Sequence, residues 1–148
     1  MTNIVKSREM HASVDHVWDI MSQTDDDQKY WTAIRDVKVL NKSGNTIERE
    51  ATVGPSGFGH RSRQTIILDP KKSIKLTMSG DPMTGERSII LIPMGKNSTR
   101  VDVEWNLELK DVPGFVQGIV KNQISKATEK ALAKIAEEAG RGASSKGV

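Results

Sequence analysis

A chain of 148 residues with 22 basic and 19 acidic side chains and no cysteine falls in the size range of one domain and can bury a core without staples. The missing thiols exclude disulfide scaffolds, thiolate zinc sites and cysteine nucleophiles, and suit a reducing cytoplasm. A net charge of +3, interleaved rather than blocked, argues against a nucleic-acid partner and leaves transient contact with an anionic membrane surface open.

Met1 to Lys6 contains no apolar core of a leader, and no stretch approaches the roughly 18 apolar residues of a membrane span, so a soluble, cytoplasmic protein is expected. His11, His16 and His60 show no metal-ligand spacing, and neither a metal nor another cofactor is expected. Ile4 to Met10 reads as a first strand. Ser13 stands where a helix N-cap belongs, with Asp15 in the first turn and Val14, Val17, Trp18 and Met21 at helical spacing behind it. Thr24 is positioned to cap a second short helix whose dipole Asp25, Asp26 and Asp27 complement; the spacing of a calcium loop is missing.

From Ile34 to Leu109 the pattern changes to period two, broken by turn residues, and predicts six antiparallel strands near 34–42, 46–53, 60–68, 73–80, 86–94 and 99–109. The last is clearest: Val101, Val103, Trp105, Leu107 and Leu109 alternate with polar residues. In strand 60–68, Arg61 and Arg63 share one face and His60, Ser62 and Gln64 the other, while Ile66 and Ile67 leave the inward register open. Pro113 suits a first helical turn, and a final helix is expected to run to about Ala139 and stop at Gly140. Its stripe of Val116, Val120, Ile124, Ala127, Ala131 and Ile135 opposes Lys121, Lys126, Lys130 and Lys134, over a length of about 40 Å. Residues 1–140 are thus expected to form one domain and 141–148 a disordered tail.

The order of strand, two short helices, six strands and long helix resembles the helix-grip fold of the START-like (SRPBCC) superfamily. The resemblance rests on Ala12–Ile20 after the first strand, Ile74–Gly80 in the middle and Val101–Leu109 before the last helix. These marks look most like the polyketide cyclase and coenzyme-Q-binding branch. The resemblance implies an α+β fold, with a curved seven-stranded antiparallel sheet wrapped around the C-terminal helix and an apolar cavity between them. It further implies binding or transport of a lipid, isoprenoid quinone or polyketide-like molecule. A cyclase or dehydratase using the same cavity and a co-chaperone-like interaction module are the alternatives.

Alternate connections of a meander fall at the same end of the sheet. One end has the lysine-bearing turns at 42–45, 69–72 and 94–97, and the other the glycine-rich connections 54–59, 80–85 and 111–115, which carry Phe58, Met83 and Phe115. That second end is read as the mouth of the cavity, against the alternative that the three side chains plug the core. The expected lining is Phe58, Arg63, Leu76, Met78, Met83, Ile90, Val103, Trp105, Phe115, Val116, Ile119, Val120 and Gln123. In the enzymatic reading His60 would be the base, although no carboxylate is spaced to orient it. Trp18, Trp31 and Trp105 each sit at a core period of their own element, and packing is their expected role.

Overall fold

Alternating apolar residues build the inner face of one antiparallel sheet. A computed structural model describes residues 2–54, 60–80 and 83–146, with side chains through Arg141. Its strands are β1 (Thr2–Met10), β2 (Ile34–Ser43), β3 (Thr46–Val53), β4 (His60–Asp69), β5 (Ser73–Ser79), β6 (Met83–Gly95) and β7 (Ser98–Leu109). They lie in the order β1-β7-β6-β5-β4-β3-β2, with every neighbouring pair antiparallel. The six-strand meander and the first strand are as expected, and β1 closes the sheet beside β7.

The helices α1 (Val14–Met21), α2 (Asp27–Tyr30) and α3 (Gly114–Lys146) complete the helix-grip arrangement. Ser13 caps α1 as its sequence position implies, its hydroxyl accepting from the His16 N–H at 3.2 Å. Thr24 does not cap α2. It opens a 3-10 turn (Thr24–Asp26), and neither that turn nor α2 has a side-chain cap. The acidic run is also divided in a way a dipole argument does not foresee. Asp25 and Asp26 form exposed pairs with Lys42 and Lys29, whereas Asp27 turns inward and is buried.

The core lies between the sheet and the three helices. Val17, Trp18 and Met21 of α1 and Ala131, Leu132, Ile135 and Ala139 of α3 pack into one cluster with Ile66, Ile74, Leu76, Ile89, Val101 and Val103 of the sheet. Trp18 is therefore a packing residue, as its spacing implies. The last helix runs through Gly140 to Lys146, giving 33 residues and a length of about 50 Å. Gly140 does not end it, because a glycine stops a helix only where the chain turns left-handed after it; here Arg141 and the residues up to Lys146 continue the helix.

Two further boundaries bear on the site. β6 begins at Met83 rather than near 86, so Met83, Thr84 and Gly85 of the expected 80–85 connection are strand, and Met83 packs against the core. In the β6–β7 hairpin, Gly95 opposes Ser98 but Pro93 opposes Thr99, an irregularity that shifts the register by one residue.

Candidate ligand-binding site

The inner face is settled by register. Arg49 opposes Gln64, Ala51 opposes Ser62 and Ile66 opposes Leu76, while Leu76 opposes Arg87 and Arg87 opposes Trp105. Directly opposed residues share a face, so the open choice in β4 resolves toward Ser62, Gln64 and Ile66, all buried, with Arg61 and Arg63 pointing outward. Arg63 is exposed and does not join the inner wall. Arg61, also outward, pairs with Glu50 at 3.2 Å. His60 is exposed at the start of β4.

Leu76, Met78, Val103 and Trp105 of the expected lining are buried on the inner face, and Met83 is half-buried at its edge. Ile90 lies on the outer face at 47% exposure, because the hairpin shift turns Ile89 and Leu91 inward instead. Phe58 is outside the described residues. On the first half of α3, Phe115 is 76% and Ile119 54% exposed, Gln123 is exposed, and Val116 and Val120 are half-buried. The helix docks from Ile124 onward. It crosses the sheet where the Trp105 indole Nε1 donates to the Thr128 hydroxyl at 2.9 Å, and that hydroxyl donates back to the Ile124 carbonyl at 2.7 Å. Ahead of this crossing Val116 and Val120 continue the docked stripe but are only half-buried, whereas Phe115 and Ile119 share the outer face of the helix with the exposed Lys126 and Lys130.

The interior also carries charge, which the sequence reading missed. Arg49 is buried and fully engaged: Nε donates to Gln64 Oε1 at 2.8 Å, Nη1 to the Thr24 carbonyl at 3.1 Å and Nη2 to Asp27 Oδ2 at 3.0 Å. Arg87, 1% exposed, is held differently. Its guanidinium carbon lies 4.4 Å from the centre of the Trp31 ring and 5.6 Å from that of Trp105, and the two indoles meet edge to face at 6.2 Å. Burial lowers its pKa to about 10, against the attraction of Asp27 and with repulsion from Arg49, so it stays protonated at neutral pH. Burial likewise pushes the Asp27 carboxyl above its usual range, opposed by Arg87 and Arg49.

A folded state that holds the Asp27 proton longer than the unfolded chain binds more protons as pH rises above 3.8, so the contribution of Asp27 declines with rising pH until its folded pKa is passed. Urea midpoints of the parent and Asp27→Asn, compared from pH 3.5 upward, are expected to show the parent losing ground to the variant over this window. A difference that grows in the parent's favour would overturn the assignment.

A groove of about 310 Å³ between β1 and α3 is lined by Lys6, Ser7, Arg8, Glu129 and Leu132. It is spanned by the Lys6–Glu129 pair at 2.6 Å and shares no residue with the expected lining. Among the described residues no cluster of metal-ligating side chains occurs, and no helix is long and apolar enough to cross a membrane.

Comparison with known proteins agrees with this architecture. The chain is similar in structure to the ZhuI aromatase/cyclase from Streptomyces sp. R1128, with a TM-score of 0.84 at 12% identity over 95% of this chain and 94% of that one. A START superfamily protein from Mycobacterium smegmatis gives 0.74 at 21% identity, covering 94% and 97%. Norcoclaurine synthase from Thalictrum flavum, solved with dopamine and hydroxybenzaldehyde, gives 0.69 at 21%, covering 93% and 84%. No curated protein matches the chain in sequence. The family model described as polyketide cyclase / dehydrase and lipid transport matches residues 10–134, most of the chain, and the protein belongs to that family.

Proposed function

We propose that the protein binds and carries a hydrophobic small molecule, of the lipid, isoprenoid quinone or polyketide-like class, between the inner face of the sheet and α3. The observation that carries this reading is the first half of α3, where Val116 and Val120 of the sheet-facing stripe are only half-buried, while Ala131 and Ile135 of the same stripe are fully buried. Apolar side chains left uncovered beside an apolar sheet face are what a ligand of that kind would cover. Family membership supports it, since the family's description includes lipid transport. Exposed apolar residues at that end would also ease contact with a bilayer during transfer of cargo.

The family's description equally includes cyclases and dehydrases. Against the enzymatic reading, His60 is exposed and takes part in no ion pair among the described residues. A carrier is expected to take up the neutral apolar probe N-phenyl-1-naphthylamine saturably, at about one per chain. Native mass spectrometry of protein purified from its host is expected to show a co-purifying lipophilic mass. Unsaturable or absent probe binding by protein with an intact circular dichroism spectrum would overturn the reading.

A further inference from the structure

We infer that Arg87 anchors an anionic oxygen group, a carboxylate or similar oxyanion, on the apolar ligand, with Gln64 as a further donor on the same inner face. The inference rests on the carrier reading above and adds the chemical class of the ligand's polar end.

The first support is an imbalance of charge. Among the described residues the buried charged side chains are Asp27, Arg49 and Arg87, so two guanidinium groups face one carboxylate. That carboxylate is engaged with Arg49 at 3.0 Å. Arg87 makes no ion pair or hydrogen bond within the described residues, and its Nε and Nη1 are buried without a partner. Indole faces attract the cation but accept none of its hydrogen bonds in the manner of an oxygen.

The second support is the type of polar group left over. Gln64 gives its oxygen to Arg49, which leaves its Nε2 unpartnered, and the Ser62 hydroxyl is also buried without a partner. Arg87, Gln64 and Ser62 all point to the inner side, from β6 and β4 on either side of β5. The nitrogens left without partners on this face, Nε and Nη1 of Arg87 and Nε2 of Gln64, are all donors. Buried donors without acceptors are costly, and a ligand bringing oxygens with negative charge would meet them and offset the surplus positive charge. Arg49 shows what a fully met guanidinium looks like in the same interior. A planar guanidinium fork favours a two-oxygen anion over a single neutral acceptor.

The test uses two fluorescent probes with one aromatic skeleton, 8-anilino-1-naphthalenesulfonate and neutral N-phenyl-1-naphthylamine, titrated into the full chain. The parent is expected to bind the sulfonate more tightly by roughly tenfold or more, the effect of one charge-assisted contact. Arg87→Met should remove that preference by weakening the sulfonate while leaving the neutral probe within about twofold, and Arg87→Lys should keep part of it. A competition on the parent alone covers the case in which the variants do not fold: decanoate should displace the neutral probe at a lower concentration than 1-decanol. Neutral-probe binding with no preference for the anion, or a preference that survives in Arg87→Met, overturns the inference and leaves the carrier reading standing. If neither probe binds, both fall.

Discussion

Arg49→Met is expected to lower stability by about 3–5 kcal/mol, the usual cost of removing one member of a buried ion pair. Arg49 supplies all three of its hydrogen bonds to groups inside the fold, and without it the Gln64 oxygen, the Thr24 carbonyl and Asp27 Oδ2 lose a donor together. Methionine fills similar space, so packing changes little and the loss is polar. For a chain of this length the melting temperature should fall by roughly 10 °C or more. The double variant Arg49→Met, Asp27→Leu should recover part of this, because replacing both partners by apolar groups removes the unpaired charge along with the pair. Recovery is expected to be incomplete, since Asp27 also attracts Arg87. A single variant that melts with the parent would show that the cluster does not hold α2 against β3.

The contrast between what the sequence shows and what it hides follows from periodicity. Strand β7 is legible residue by residue because Val101, Val103, Trp105 and Leu107 alternate strictly with polar positions. Strand β6 is not, because Ile89, Ile90, Leu91 and Ile92 place apolar residues on both faces. Counting back from Gly95 opposite Ser98 would pair Ile90 with Val103 and turn Ile90 inward. The irregularity at Pro93 moves the register by one, pairs Val103 with Ile89 and brings Arg87 under Trp105. One residue of slip thus exchanges an isoleucine for an arginine in the interior. Similarly, three consecutive aspartates look alike on a dipole argument, and only the position of Arg49 on the inner face of β3 distinguishes Asp27 from its exposed neighbours. A charged residue at an inward position of an alternating strand is the signal that would have found Arg49, since β3 carries Ile47, Arg49, Ala51 and Val53 on one face.

The stripe of α3 was legible for a different reason. Ile124, Ala131 and Ile135 repeat at helical spacing and all meet the core. What the stripe alone does not reveal is that it outruns the sheet-packed region, so that Val116 and Val120 stay half-buried while Ala131 and Ile135 are buried. Stripe length is a property of the helix. Where it becomes uncovered depends on the crossing at Trp105 and Thr128, a contact between residues far apart in the chain.

Gly85→Ala is expected to destabilise the fold by about 3 kcal/mol or more, by adding one methyl group to the wall that faces the proposed ligand. Gly85 has φ +148, a conformation that side chains with a Cβ rarely adopt, and a Cβ placed there would collide with the Asn106 carbonyl oxygen and approach Leu107 Cα at 2.9 Å. Both obstacles are backbone of the paired strand β7, so no side chain can swing away. Relief requires β6 and β7 to separate or β6 to change its register, and either movement would disturb the neighbouring opposition of Arg87 and Trp105. The same substitution at Gly95, where nothing lies within 4 Å of an added Cβ, should leave the melting temperature nearly unchanged. The comparison separates collision from the general entropic effect of replacing glycine. The two thermal melts, read with the quenching of tryptophan fluorescence by iodide, should show Gly85→Ala melting lower and exposing its indoles more readily at a temperature where the parent is folded. Equal melting temperatures for the two variants would mean that the β6–β7 pairing accommodates a side chain at position 85, and that the inner wall there is more yielding than its geometry implies.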